Sequence, residues 1–146
     1  MNAVITTGVL EHVGDLEASL AEIDRVLLPG GQVFHEVPFV QGFHGTFDYR
    51  RFTNQGARAL VKNYELIDEG VALGPSSALV WILTEYLGAL LSFGNDRAHF
   101  VMSRLVSKVL RPLRFFDAFM EQRPQARSIA CSLYVHARKP PGSAET

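Results

Sequence analysis

The chain holds a single cysteine, Cys131, among its 146 residues. That excludes an internal disulfide framework and fits a reducing compartment, with the thiol read as a small buried hydrophobe. Net charge is also scarce: 14 Lys and Arg against 15 Asp and Glu leave −1. Such a balance offers no global field to nucleic acid, and no nucleic-acid partner is expected. The longest apolar stretch, residues 78–93, is interrupted by Glu85 and falls short of the ~20 residues that a bilayer-spanning helix needs. No basic segment followed by an apolar run stands at the N-terminus, so no secretory signal is expected and the chain reads as cytoplasmic. His12, His35, His44, His99 and His136 show no short paired spacing, and with one thiol available no metal site is expected. A Gly-x-Ser-x-Gly elbow and a phosphate loop are missing as well. Gly30-Gly31 follows a helical pattern and precedes a strand, the reverse of the context a nucleotide-binding glycine turn requires.

What is present is the composition of a globular protein, 47% hydrophobic and 20% charged. The length suits one compact unit with a sizeable core. Charge is unevenly spread: residues 1–70 carry ten acids against five bases, residues 71–146 five acids against nine bases.

The β-branched run 3–9 reads as a buried strand. Asp15 is a candidate N-cap for a helix whose Leu16, Leu20, Ile23 and Leu27 form one apolar stripe, stopped by Pro29-Gly30-Gly31. Residues 32–37 form the next expected strand, ended by Pro38. The aromatic and polar segment 39–52 has no helical period and reads as an ordered loop. Thr53 caps an expected helix to about residue 63, with Ala57, Leu60 and Val61 inward, and 64–73 supplies another strand. Two helices, 76–93 and 96–110, come next, with a break at Pro112 and a further helical turn at 117–121. In the last strand, 128–138, Ile129, Cys131, Leu133, Val135 and Ala137 alternate with Ser132, Tyr134 and His136. Residues 140–146 are expected to fray. The pattern is α/β with right-handed crossovers.

Leu10-Glu11-His12-Val13, then Arg25-Val26-Leu27-Leu28-Pro29-Gly30-Gly31, Val37-Pro38-Phe39, His44 and Asp48-Tyr49-Arg50-Arg51-Phe52-Thr53 form an ordered series. The series resembles the C-terminal half of a class I S-adenosylmethionine-dependent methyltransferase, with the likeness covering residues 1–70. The resemblance implies a partial Rossmann-like methyltransferase sheet, strands four to seven, with a two-helix insertion at 74–121 before the last strand. It implies S-adenosylmethionine as cofactor, contacted by Gly8, Val9, Leu10, Glu11 and His12 at the carboxyl edge of the sheet, where open α/β sheets bind ligands. The family's glycine turn and ribose-binding acid would lie upstream, so the 1–139 unit is expected to be weak or inactive alone.

His44, Asp48, Tyr49 and Arg51 resemble a loop that the family places over its active site. An imidazole, a carboxylate and a phenol there could orient an acceptor hydroxyl or take its proton. The same residues also read as a loop anchor, with Asp48 paired to Arg51 and Phe47, Tyr49 and Phe52 fastened to the core. In the helical pair, Leu79, Ile82, Leu83, Tyr86, Leu87 and Leu90 form a wide apolar face, and Arg97, Arg104, Lys108 and Arg111 share one side. That is either a solvated face or a lid meeting a small-molecule or lipid-linked substrate, with peripheral membrane association as the third alternative. A non-catalytic remnant or partner-docking module, dimeric or completed by a separate N-terminal half, is the rival to an enzyme.

Overall fold

The structure, a computed structural model, describes residues 1–142. Four strands form one sheet: β1 (Ala3–Thr7), β2 (Gln32–Pro38), β3 (Glu65–Leu73) and β4 (Ser132–Arg138), in spatial order β1-β2-β4-β3. β1 and β2 are parallel, and β4 runs antiparallel between β2 and β3. Helix α1 (Leu16–Val26) connects β1 to β2, and α2 (Asn54–Ala59) lies between β2 and β3. Between β3 and β4 come α3 (Pro75–Ser92), α4 (Asp96–Leu110), a 3-10 segment and the short α5 (Asp117–Met120). The expected α/β class is thus the observed one.

Local chemistry explains the helix starts. The Asp15 side chain accepts a hydrogen bond from the Ala18 amide, and the Thr53 side chain accepts one from Gly56. Each satisfies an amide that the first turn leaves unpaired. α3 has no such neighbour, because glycine occupies its cap position. Its amides at Ser76 and Ser77 donate instead to the Asp117 carboxylate, at 2.7 and 3.0 Å, and the Ser77 hydroxyl adds a third bond at 2.6 Å. An acid at the positive end of a helix is favourable, and this one ties the end of the helical segment to its beginning.

The core lies on one face of the sheet, where Val33, Val37, Val135 and Ala137 meet Leu10, Leu27, Phe52, Ala57, Leu60 and Val61. Leu16, Leu20 and Ile23 pack their stripe against it. The opposite face is polar and aromatic: Phe34 stacks on Tyr134 at 5.4 Å, and the Tyr134 hydroxyl donates to Asp68. Gly88 lets α3 and α4 approach closely, since a Cβ there would overlap the Ser103 hydroxyl.

Four expectations need correction. β1 is an edge strand and not a buried one: it ends at Thr7, Val4 packs on the core, and Ile5, which points to the opposite face beside Phe34, is 72% exposed. α2 ends at Ala59, and residues 60–63 continue as turns that still bury Leu60 and Val61. α1 ends at Val26, so Leu27 joins the core from an extended backbone. β4 begins at Ser132, because Pro124–Ser128 coils into a 3-10 helix and Ile129 turns outward. Of the expected frayed tail, residues 140–142 form a turn region and 143–146 lie outside the described residues. Among the described residues no helix is long and apolar enough to cross a membrane.

Candidate functional site

The carboxyl end of β1 turns through Gly8 into the 3-10 turn Leu10–His12. Gly8 adopts φ +61°, a left-handed conformation that glycine takes without strain, and a Cβ there would sit 3.5 Å from Glu11 Oε1. Gly8 is followed by Val9, whose side chain is exposed at the strand end. The next two side chains face elsewhere. Leu10 is buried in the core, and Glu11 is buried beneath the loop 39–52.

That loop is ordered, as its aromatic composition predicts. The two terminal nitrogens of Arg50 donate across the turn, Nη1 to the Leu10 and Val13 carbonyls and Nη2 to the Gly14 carbonyl. The Tyr49 amide donates to the Glu11 carbonyl at 2.9 Å, and the Phe52 amide to the Pro38 carbonyl. Asp48, with its side chain fully buried, accepts from both terminal nitrogens of Arg51 and from the His44 amide. The Arg51 guanidinium, aided by that amide, holds the Asp48 carboxyl well below the usual carboxylate range. Arg51 also donates to the Gly42 carbonyl at 2.7 Å. The loop-anchor reading of Asp48 and Arg51 is therefore the one their contacts support.

Held this way, His44 points its Nε2 at Glu11. The separation from Glu11 Oε1 is 4.0 Å, and His12 Nε2 lies 3.8 Å from the same oxygen. The two imidazoles meet edge to face, 5.1 Å apart, and the Trp81 ring of α3 lies 5.4 Å beyond His44. Glu11, His12 and His44 thus form a cluster assembled across 33 positions of sequence, which a search for short paired spacing does not reveal. Tyr49 is more exposed, with its phenol turned toward Gly14. Sequence reasoning missed Arg50 and Trp81. Two adjacent arginines in one loop were the available signal for Arg50, and nothing local marked Trp81.

Gly8 and Val9 stand at the carboxyl edge of the sheet, the part of an open α/β sheet at which ligands bind, with the Gly8 amide donating to the Glu36 carbonyl at 3.3 Å. The Leu10 side chain faces the core and its carbonyl is taken by Arg50, so neither is offered to a ligand.

Comparison with known proteins bears on this geometry. Residues 1–35 match the family model described as a methyltransferase domain. No curated protein matches the chain at a significant level. Among solved structures, the [4+2]-cyclase SpnF is 18% identical, with 97% of this chain and 50% of that one covered at a TM-score of 0.51. A Haemonchus contortus phosphoethanolamine N-methyltransferase, bound to phosphomonomethylethanolamine and S-adenosylhomocysteine, is 16% identical, with 96% and 34% covered and a TM-score of 0.51. Coclaurine N-methyltransferase, bound to N-methylheliamine and S-adenosylhomocysteine, is 10% identical, with 94% and 48% covered and a TM-score of 0.50. The chain spans about half the length of these structures or less. One of them is a cyclase, so the shared architecture does not by itself specify the chemistry. Strand order, turn geometry and these likenesses together give the chain a class I S-adenosylmethionine-dependent methyltransferase-like fold.

Proposed function

We propose that residues 1–146 form the acceptor-side part of an S-adenosylmethionine-dependent methyltransferase. The observation that carries this reading is the juxtaposition of the Gly8–Val9 strand end with the Glu11, His12 and His44 cluster under one ordered loop. When bound, the cofactor supplies an electrophilic methyl group on a sulfonium sulfur. Gly8 and Val9 line its edge. His44, through its cluster with Glu11 and His12, and Tyr49, beside Gly14, position the acceptor, while Asp48, Arg51 and Arg50 keep the loop in place and act only through those two. Methyl transfer depends mainly on in-line placement, so positioning groups of this kind account for much of the required rate. Residues 1–146 hold no glycine-rich turn between a strand and a helix of the type that grips the cofactor's other half, so the chain by itself binds the cofactor weakly.

The test joins a family cofactor-binding half ahead of Met1 and follows tritium from the labelled methyl group into the acceptor. His44→Ala and Tyr49→Phe lower turnover by about tenfold or more and leave S-adenosylhomocysteine affinity within about twofold. Unchanged turnover per folded molecule, with a lowered unfolding temperature, would mean that both residues serve only to fasten the loop.

A further inference from the structure

We infer that Glu11, His12 and His44 hold a divalent transition-metal cation beside the acceptor, a step that rests on the methyltransferase reading only for its chemical consequence.

Three observations lead there. The first is spacing. One ligand atom from each residue can be chosen so that all three lie within 4.8 Å of one another. The two imidazole nitrogens stand 3.8 and 4.0 Å from Glu11 Oε1, too far to hydrogen-bond with it. Donors that share a cation at about 2.1 Å lie ~3 to ~4.2 Å apart, so this gap is one that a cation fills after small side-chain adjustments.

The second observation is the state of each imidazole. His12 Nδ1 lies 2.9 Å from the Phe47 carbonyl oxygen, which can only accept, so Nδ1 carries the proton. His44 Nδ1 lies 3.3 Å from the Gly42 carbonyl and 3.5 Å from the Asp48 carboxylate, two acceptors, and 3.5 Å from the Arg51 Nη2 donor, with the carbonyl the shortest of the three contacts. With the proton on Nδ1, each ring presents its Nε2 lone pair toward Glu11. Ligating histidines are oriented in this way, by an outer carbonyl or carboxylate on the far nitrogen. The Asp48–Arg51 pair, at first sight catalytic, becomes the support that fixes His44.

The third is Glu11 itself. Its side chain is 2% exposed, and its Oε2 has no hydrogen-bond partner among the described residues. A buried carboxylate is stable when paired or coordinating, and His44 and His12 come near it without bonding to it.

Two histidines and one carboxylate suit Zn²⁺, Fe²⁺, Mn²⁺ or Co²⁺, and leave coordination positions open. A cation there favours an acceptor bearing a hydroxyl, because coordination lowers the pKa of a bound O–H toward neutrality. The acceptor class narrows from any nucleophile to an oxygen nucleophile.

Titration of the metal-free 146-residue chain with Co²⁺, read by visible absorption and calorimetry, is the test. One Co²⁺ binds per chain with a visible d–d band. His44→Ala and Glu11→Gln weaken binding on the order of a hundredfold and abolish the band. His99→Ala, which changes a histidine paired with Glu85 on the helical segment, leaves both intact. Should His44→Ala fail to fold by circular dichroism, His12→Gln replaces it. A folded parent chain that takes up no Co²⁺, or a folded His44 or His12 variant that binds it as the parent does, would overturn the inference. Neither readout involves the cofactor, so loss of the methyltransferase reading would leave this result standing, and the reverse holds too.

Discussion

Arg51→Ala destabilises the chain by about 3 kcal/mol, a large part of what a domain of this size possesses. The cause is the partner left behind. The Asp48 side chain is buried and relies on both terminal nitrogens of Arg51, and removing that fork strands its carboxylate away from water. Breaking a buried pair from one side costs more than the pair contributes, so Asp48→Asn is milder, and the double variant Asp48→Asn with Arg51→Ala recovers part of the loss. Urea unfolding of the three variants measures this. A single Arg51→Ala variant within about 1 kcal/mol of the parent would show that water reaches Asp48 and that the loop is held by its backbone bonds alone.

The second large effect is a pH dependence set by His35. Its imidazole is fully buried on β2, with Nδ1 2.8 Å from the Thr6 hydroxyl and Nε2 without a hydrogen-bond partner among the described residues. It also borders a cavity of about 280 Å³ lined by Glu17, Asp24, Lys62 and Tyr64. Burial lowers its pKa from 6.5 to about 4. The folded state therefore resists protonation where the unfolded chain accepts it. Stability from this residue is fully present above pH 6.5 and declines as pH falls toward about 4, by a total on the order of 3 kcal/mol. The carboxylates held low by arginines, Asp48 and Glu69, contribute at lower pH, as the pH falls through and below their ordinary range. Unfolding free energies measured from pH 7 to pH 4.5 should thus fall in the parent and stay nearly level in His35→Leu. Parallel curves for the two proteins would remove His35 as the cause.

Much of the architecture was legible because its signals are local. Asp15 and Thr53 cap the helices they were expected to cap, and the alternation from Cys131 to Ala137 faces the core as read. What failed was anything set by distant partners. The hydrophobicity of residues 3–9 encodes a strand suited to burial, yet burial depends on what covers each face of the sheet, and at β1 only the Val4 side packs on the core. Asp117 caps α3 from 40 residues away, an arrangement no spacing rule anticipates. The candidate site divided in the same way. Glu11 and His12 were found as cofactor contacts and His44 as a loop residue, but their meeting depends on Arg50, Asp48 and Arg51 folding the loop back over the turn.

The cofactor's proposed point of contact is the end of β1. Backbone amide resonances of the 146-residue chain, followed during titration with S-adenosylhomocysteine to millimolar concentration, detect even weak contact residue by residue. Saturable shifts centred on Gly8 and Val9 and extending to His12, with α4 unaffected, are the predicted result. Shifts confined to other surfaces, or none at the end of β1, would contradict it.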